Sequence, residues 1–409
     1  MKTSILAVGT ELLFGQTVNT NATFLSENLN LMGFDVMYHF VVGDNPARLR
    51  EKLADAFADT DLVILTGGLG PTQDDLTKEI TAEYMGADLY TDERVIEDLK
   101  GFFEKRGREM PSNNLKQALL PVGCTPFYNA SGTAPGFALS VDGKTAICLP
   151  GPPREMKWLW DNGVREYLEQ FMEKKMFYRV IRTIGIGESD LEMLLMPLID
   201  GQTDPTIATY AKEGECTLRV ASQRDTMQEA IDAVEDMTSR IEKLAGEYIY
   251  SYDDEELKEV VVRLLREKHL TVTSAESCTG GMFASAITDV AGASNVLSSA
   301  YVTYSDESKI RELGVPAELI DKYGVVSAEV AEAMAAGAKE RSRADIAVSV
   351  TGYAGPEADP GHEAGEAYIG YAADSGTGHY AVRTSRNFRK WNRSYLTLRM
   401  LRAVYLLIR

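Results

Sequence analysis

A serine at a predicted strand-to-helix turn is the first candidate for chemistry. Ser277 follows the predicted strand 270–273 and precedes Gly280 and Gly281, which open the next helix. A side chain at such a turn is presented at the top of a sheet, and the backbone amides near the two glycines can stabilise an oxyanion or a phosphate. Cys278 is a rival nucleophile, although a free cysteine is more often simply buried.

Serine is a weak nucleophile and needs a base. The chain has only four histidines, so a lysine whose pKa is lowered by burial is the reasonable candidate. Lys309 fits this role, with Tyr304 and Tyr301 as hydroxyl relays, and Thr351 ends another predicted strand that could reach the same pocket. A helix-capping serine and a solvated surface lysine are the alternative interpretation, which spacing alone favours.

A second candidate is the glycine-rich connection at residues 66–77, between a predicted strand and a predicted helix. Its glycines let backbone N–H groups approach an anion, and the helix N-terminus adds a positive dipole end. Asp74 and Asp75 could hold Mg²⁺ or a similar hard cation. No Gly-Lys-Ser/Thr follows, so this is not a Walker loop. A tight turn with merely capping Asp and Thr side chains explains the pattern equally well.

Three other segments could complete a pocket with this loop. They are residues 9–13 with Asn19 and Asn21 nearby, residues 113–117, and the proline-rich turn 149–155. Each is a weak indication by itself.

The strands and helices that must position these residues are predicted from alternating hydrophobic periods. In the first 100 residues, strands are predicted at 4–8, 34–42 and 62–65, and helices at 19–32 and 46–58. This alternation predicts a parallel sheet covered on both faces, with ligands at the carboxyl ends of its strands.

The rest of the chain divides into two further parts. Residues 171–252 have the texture of a small α+β module, and the polar run 251–256 is a plausible linker. A second α/β unit follows it. Its strands are predicted at 270–273, 296–303, 344–351 and 368–373, and its helices at 256–268 and 392–407.

Composition excludes several functional classes. The 409 residues carry a formal net charge of −19, which argues against a uniform nucleic-acid or anionic-lipid footprint. The histidines and the four cysteines lack zinc-site spacing, and a disulfide framework is not expected. Neither a signal peptide nor a membrane-spanning run is visible, so we expect a cytoplasmic protein.

Residues 1–170 resemble the molybdopterin-binding (MoaB/MogA-like) fold in the version found in the competence/damage-inducible protein A (CinA) family. The matching segments are 8–13, 66–75, 132–136 and 150–153. The resemblance implies a divalent-metal-dependent (Mg, Mn or Co) ADP-ribose pyrophosphatase, with Asp74 and Asp75 as metal ligands. It implies a diphosphate cradle and a surrounding pocket made of Gly67, Gly68, Gly70, Gly9, Glu11, Thr72, Asn113 and Gly151.

Residues 171–252 are similar to the KH-type module of the same family. A KH domain that grips RNA uses a Gly-x-x-Gly loop beside basic residues, but the candidate turn 212–215 reads Lys-Glu-Gly-Glu. A spacer or dimerisation element is the favoured interpretation, and no nucleic-acid partner is expected.

Residues 253–409 resemble the CinA C-terminal domain, which is a nicotinamide-nucleotide amidohydrolase in many relatives. The matching segments are 275–281, 304–309, 324–327 and 350–356. The resemblance implies that Ser277 attacks the carboxamide of nicotinamide mononucleotide, that Lys309 and Tyr304 move the proton, and that no cofactor is needed. Arg393 would bind the 5′-phosphate as a bidentate donor; a surface helix charge is the alternative.

Two departures from the family pattern concern the substrate. Residues 357–365 replace the usual Gly-rich stretch, and Trp391-Asn392-Arg393 replaces the usual Gly-Asp-Arg. The fold class predicted is therefore α/β, with a doubly wound N-terminal domain (1–170), a KH-type module (171–252) and an α/β amidohydrolase domain (253–409).

Three functional hypotheses remain open. The first is a homodimeric hydrolase of pyridine nucleotides with both activities. The second gives the N-terminal pocket a pterin-like ligand. The third is a binding partner of competence or recombination machinery, such as a recombinase, with vestigial sites and no membrane contact.

Overall fold

The computed structural model describes residues 1–172, 174–358, 360–384 and 386–409. The chain forms two compact units: Met1–Met176 with Arg224–Met227, and Phe177–Gln223 with Gln228–Arg409. Among the described residues, no helix is both long enough and apolar enough to cross a membrane.

The first unit is an α/β domain built on one six-stranded sheet. Its strands and helices, in chain order, are β1 (Lys2–Val8), α1 (Thr10–Leu13), α2 (Thr20–Leu31), β2 (Asp35–Val42), α3 (Pro46–Asp59), β3 (Leu62–Thr66), α4 (Thr77–Tyr84), β4 (Leu89–Thr91), α5 (Glu93–Glu104), β5 (Leu119–Pro121), β6 (Thr125–Phe127), β7 (Gly136–Val141), β8 (Lys144–Leu149), α6 (Pro153–Leu159) and α7 (Arg165–Glu169). A 3₁₀-helix spans Ser112–Ala118.

The sheet has the order β2-β1-β3-β8-β7-β6. The first four strands are parallel, and β7 and β6 add antiparallel strands at one edge. Alternate residues of β1 and β3 enter different cores: Ile5 and Ile64 pack in one, and Leu6 and Leu65 in the other. Both faces are therefore covered, as the continuous apolar runs predict.

The register of the parallel strands β1, β3 and β8 brings together the three polar segments that follow them. Ala7 of β1 pairs with Thr66 of β3, and Thr66 pairs with Leu149 of β8. The segments that follow these parallel strands, which begin at Gly9, Gly67 and Pro150, consequently leave the sheet at one edge.

The second unit begins with a small antiparallel sheet and two helices. Its elements are β9 (Lys175–Ile184), α8 (Glu188–Ile199), β10 (Thr206–Lys212), β11 (Glu215–Arg224), α9 (Met227–Ala245) and β12 (Ile249–Ser251). We call these the middle module. Its sheet has the order β10-β11-β9-β12, and β10 and β11 form a hairpin whose tip is Glu213 and Gly214.

The remainder of the second unit is an α/β domain. It consists of α10 (Leu257–Glu267), β13 (Val272–Glu276), α11 (Met282–Thr288), β14 (Tyr301–Val302), α12 (Asp306–Leu313), α13 (Ala317–Tyr323), α14 (Ala328–Ser342), β15 (Ile346–Gly352), β16 (Ala367–Ala373), β17 (Gly376–Val382) and α15 (Arg389–Ile408). The strands are ordered β14-β13-β15-β16-β17.

One strand differs from its prediction. The apolar run 296–303 forms a strand only at Tyr301–Val302, because a 3₁₀-turn at Ala293–Asn295 precedes it and Val296 is used in the core instead. β13 extends to Glu276, which places Ser277 directly after the strand.

Candidate functional sites

Ser277 stands at the end of β13, half-buried, with its backbone N–H donating to the Val350 carbonyl of β15 at 3.2 Å. Gly280 and Gly281 then turn the chain with φ angles of 61° and 94°. Because such left-handed conformations are costly for side chains with a Cβ, the two glycines make this abrupt entry into α11 possible.

Glu276 anchors this turn from below. Its buried carboxylate accepts hydrogen bonds from the Thr279 hydroxyl at 2.7 Å and from the Gly281, Phe283 and Ala284 N–H groups at 2.9, 3.1 and 3.1 Å. These donors include the first amides of α11, which lack helical partners. Sequence analysis missed this role; a glutamate ending an apolar strand just before a Gly-Gly turn was the available indication.

Lys309 is brought to Ser277 by α12. The side chain is 1% exposed, and its Nζ lies 3.5 Å from the Ser277 Oγ, 3.1 Å from the Thr303 carbonyl and 3.3 Å from the Tyr304 carbonyl. Burial lowers the pKa of Lys309, and the partly exposed Asp306 carboxylate, 3.9 Å from Nζ, opposes that shift. The dry surroundings favour the neutral amine, which is the form that can accept a proton.

Two hydroxyls predicted for this site are placed differently. Tyr304 is 62% exposed, and its hydroxyl accepts from Arg389 Nη2 at 2.9 Å; its backbone carbonyl accepts from Lys309. The buried Thr351 hydroxyl donates to the Val325 carbonyl at 2.7 Å. Tyr304 thus borders the site through its backbone, and Thr351 ties a neighbouring loop to β15.

The expected oxyanion amides are already in use. The Gly280 N–H donates to the Ser277 carbonyl at 3.1 Å, and the Gly281 N–H donates to Glu276. Within the described part of the chain, the Thr279 N–H has no hydrogen-bond partner, so this amide is the better candidate donor.

Arg393 contacts the same turn rather than standing free. Its Nε donates to the Cys278 carbonyl at 3.0 Å and its Nη2 to the Thr279 carbonyl at 2.7 Å. These bonds hold the residues that follow Ser277. Burial raises the pKa of the Cys278 thiol to about 11, so this cysteine is protonated at neutral pH and a poor nucleophile.

One departure from the family pattern directly precedes Arg393 in α15. Asn392 is fully buried and donates to the Ala354 and Arg386 carbonyls, both at 2.9 Å. The adjoining loop 357–365 contains Asp359, which lies outside the described residues.

The N-terminal candidate site is a cavity of about 690 Å³ at the carboxyl edge of the first sheet. Most predicted pocket residues line it: Gly9, Glu11, Gly67, Gly68, Gly70, Thr72, Asp74, Asp75 and Gly151. Asn113 does not; it is exposed, and the buried Gln117, on the inner side of the same 3₁₀-helix, lines the cavity instead.

Close packing explains why glycines form this cradle. A Cβ on Gly67 would overlap the Val8 carbonyl oxygen, and one on Gly68 would overlap the Thr77 hydroxyl; both residues have positive φ angles. Among the described residues, the N–H groups of Gly68 and Gly70 have no hydrogen-bond partner. Free amides at a helix-facing loop are suited to phosphate oxygens.

The two aspartates are not equivalent. Asp75 Oδ2 accepts from the Thr72 N–H at 2.9 Å and the Thr72 hydroxyl at 2.6 Å, whereas Asp74 is exposed and accepts no hydrogen bond from any residue that the structure describes. Lys116 Nζ donates to the Thr72 carbonyl at 2.8 Å and to the Asp75 carbonyl, which fastens this turn.

A divalent ion fits this donor set only together with a ligand. Within the described residues there is no group of three or more His, Cys, Asp or Glu side chains that could hold a metal. Asp74 and the second oxygen of Asp75 supply hard carboxylate ligands, and phosphate oxygens of a bound nucleotide would complete the shell.

Three families match the chain in order. Residues 4–170 match the family described as "Probable molybdopterin binding domain", residues 178–251 the "Damage-inducible protein CinA KH domain", and residues 254–408 the "CinA C-terminal domain". The fold is therefore a MoaB-like domain, a KH-like module and a CinA C-terminal domain.

Relatives extend over most of the chain. A CinA-like protein of Dictyoglomus thermophilum is 47% identical over 90% of each chain, and one of Dictyoglomus turgidum is 46% identical over 87% of each. A solved structure of the protein CinA, of unknown function, from Thermoplasma acidophilum is 39% identical; it covers 42% of this chain and 96% of its own, with a TM-score of 0.37.

Proposed function

The chain belongs to the CinA family, and from that premise we propose that its C-terminal domain hydrolyses nicotinamide mononucleotide to nicotinate mononucleotide and ammonia. The observation that carries the proposal is the contact between the buried Lys309 amine and the Ser277 hydroxyl, 3.5 Å apart. A serine beside a desolvated lysine is an activated nucleophile suited to acyl transfer from an amide.

The steps follow from these two groups. Neutral Lys309 takes the Ser277 proton as Oγ attacks the carboxamide carbon, with the Thr279 N–H as the proposed donor to the oxyanion. Lys309 then returns the proton to the departing ammonia, which leaves an ester on Ser277. Lys309 next takes a proton from water; the resulting hydroxide attacks the ester, nicotinate mononucleotide leaves and Ser277 regains its proton.

Arg393 has a positioning role in this scheme. Two of its nitrogens hold the turn carbonyls, so only its remaining N–H groups could reach the 5′-phosphate of the substrate. The guanidinium thus links substrate binding to the turn that carries Ser277.

Ammonia release from nicotinamide mononucleotide tests the proposal. Wild type is expected to release ammonia, and Ser277→Ala and Lys309→Met should each lower kcat by about 10³-fold or more, as removal of a nucleophile or its base does elsewhere. Cys278→Ser is the matched control in the same turn and should keep most of the activity. Equal activity of wild type and Ser277→Ala would refute the assignment.

We also propose that the N-terminal domain hydrolyses the diphosphate of ADP-ribose with a divalent metal. The supporting observation is the cavity of about 690 Å³, which combines a glycine cradle with Asp74 and Asp75. The metal, when bound, supplies Lewis-acid polarisation of the phosphoryl group. The Gly68 and Gly70 amides would hold the diphosphate, and Asp74 would be the more available protein ligand.

This second activity is tested with ADP-ribose and Mg²⁺, Mn²⁺ or Co²⁺, following AMP. Asp74→Asn should abolish metal-dependent AMP release with an unchanged unfolding midpoint, whereas Asp75→Asn should lower both because Asp75 also holds Thr72. Exposed Asp59→Asn, outside the cavity, is the control. AMP release that persists in Asp74→Asn would remove this metal site.

A further inference from the structure

The middle module packs directly on α15 within the second unit. Ile184 and Tyr250 of the module belong to the same hydrophobic core as Leu401 and Val404 of α15. The buried Tyr405 hydroxyl donates to the Ile249 carbonyl of β12 at 3.2 Å. The module and the last helix therefore share one core.

The tip of the β10–β11 hairpin presses on the first half of α15. Gly214 has a φ angle of 80°, and a Cβ there would lie 2.8 Å from Leu398 Cδ2 and 2.9 Å from Tyr395 Cδ2. A second close approach lies at Gly185, where a Cβ would be 2.5 Å from Arg402 Nη2. A larger residue at Gly214 would have to displace Leu398 or Tyr395, so the hairpin tip and the helix are in close contact there, whereas Gly185 meets only the flexible end of Arg402.

The same stretch of α15 holds the Ser277 turn. Arg393 lies two residues before Tyr395 and bonds the Cys278 and Thr279 carbonyls. The Tyr395 ring also stacks on Trp391, with centroids 4.9 Å apart and planes at 11°. A displacement of Tyr395 therefore moves the helical turn that carries Arg393.

We propose that the middle module is a brace for the C-terminal site. Its hairpin tip fixes the position of α15 through Tyr395, and α15 fixes the position of the Ser277 turn through Arg393. Gly214 and Tyr395 are positioning residues for the amide hydrolysis proposed above, on which this inference rests. The Lys309–Ser277 contact, at 3.5 Å, is at the outer limit of a hydrogen bond. A shift of about 1 Å at a reacting group can cost about 10²-fold in rate.

The tip of the β10–β11 hairpin, which contacts α15, does not suit RNA binding. At the hairpin turn, a Cβ on Gly214 would meet Tyr395 and Leu398, whereas Lys212 and Glu213 are exposed. Its flanking residues Lys212, Glu213 and Glu215 include two acids, which repel phosphates. The module therefore offers this turn to its own chain.

Full-length variants test the brace. Gly214→Val and Tyr395→Ala should lower kcat for ammonia release about 10- to 100-fold, because the displaced α15 moves the turn that carries Ser277. KM should rise by a smaller factor, because Arg393 is the one proposed phosphate contact that moves with α15. Backbone amides of residues 277–284 should exchange with deuterium faster in both variants, because the turn loses its support.

Two matched variants isolate the contact. Gly201→Val introduces a side chain at a similar positive φ of 72°, where no described residue lies within 4 Å of the added Cβ, and Tyr395→Phe keeps the ring. Both should retain kcat and the exchange of residues 277–284 within about twofold. The brace is refuted if Gly214→Val speeds exchange in the hairpin 206–224 but leaves residues 277–284 unchanged. If wild type releases no ammonia, the proposed function fails, and the exchange result alone decides on the brace.

Discussion

Lys309 and Lys78 are both buried, with 1% and 6% of their surfaces exposed. Burial lowers the pKa of each, because a charged amine loses its hydration and is only partly compensated by its neighbours. In Lys309 this prepares a base beside Ser277. The Lys78 amine donates to the Lys116 carbonyl. Its desolvation lowers the folding stability of the N-terminal domain.

The proposed base makes the deamidase pH-dependent in a defined direction. Because catalysis needs neutral Lys309, kcat/KM should rise with pH and level off at a pH below the ordinary lysine pKa of 10.5. The Asp306 carboxylate raises the pKa of Lys309, so Asp306→Asn should move the rising limb to lower pH. A pH–rate series measures this, with exposed Glu318→Gln as the control. A limb that stays in place in Asp306→Asn would contradict the assigned base.

The buried Lys78 should make the folding stability of the N-terminal domain depend on pH. Burial lowers its pKa to about 8, from 10.5, so between these values the unfolded chain binds a proton that the folded chain does not. The penalty is therefore full below pH 8 and shrinks as pH rises toward 10.5. At about 1.4 kcal/mol per pKa unit it amounts to about 3 kcal/mol at pH 7.

The Lys78→Met variant tests that linkage. Its stability relative to wild type, from urea unfolding of the N-terminal domain, should be more favourable at pH 7 than at pH 10 by roughly 2 kcal/mol. The exposed Lys100→Met is the matched control. A Lys78→Met difference that is equal at both pH values would show that Lys78 is not desolvated as described.

At the scale of secondary-structure elements, the β13–α11 connection depends on a buried carboxylate. Glu276 accepts four hydrogen bonds from the turn and from the first residues of α11. A negative charge at a helix N-terminus is also favourable for the helix dipole. The same carboxylate thus begins the helix and fixes the turn that presents Ser277.

Removing this carboxylate should unfold the connection. Glu276→Ala leaves several buried donors unpaired and should cost about 3 kcal/mol or more, whereas Glu276→Gln should cost about 1–2 kcal/mol because one amide oxygen still accepts. Chemical unfolding and ammonia release should fall together. Glu318→Gln, on an exposed helix, is the matched control and should change the free energy of unfolding little. An equally small loss of stability in Glu276→Ala would mean that the turn is stable without the Glu276 carboxylate.

At the scale of the whole molecule, each candidate site is built from the residues of one compact unit. The cavity with Asp74 and Asp75 lies in the first unit, and Ser277, Lys309 and Arg393 all lie in the second. The middle module belongs with the C-terminal domain in that second unit. The two proposed activities are therefore expected to be separable by single substitutions.

That separability is measurable in one preparation. Asp74→Asn should lose AMP release from ADP-ribose and keep ammonia release within about twofold, and Ser277→Ala should show the reverse, because neither substitution touches the other unit. Both activities are followed in the full-length chain. Loss of both activities in either variant, with unchanged unfolding midpoints, would indicate that the units depend on one another.

Most of the secondary-structure elements could be predicted from the sequence, and its residue types suggested the chemistry proposed above. Apolar runs predicted β1, β3 and β15, the helical spacing of apolar residues predicted α2 and α3, and the glycine loops marked where strands end. These features depend on residues a few positions apart, which is why they can be recognised in a linear chain. The scarcity of histidine likewise pointed to a lysine beside Ser277, and the fold brings the two together at 3.5 Å.

Only the tertiary structure shows which side chains and backbone amides of the sites already have hydrogen-bond partners and which remain available to a ligand. Arg393 is joined to Cys278 across 115 positions of sequence, Glu276 and Ser277 take up the amides expected for an oxyanion, and Gln117 rather than Asn113 faces the cavity. The hairpin at Gly214 reaches Tyr395 only because the module and α15 share a core. Hydrogen bonds and burial of this kind depend on how distant segments pack, and local spacing carries no record of that packing.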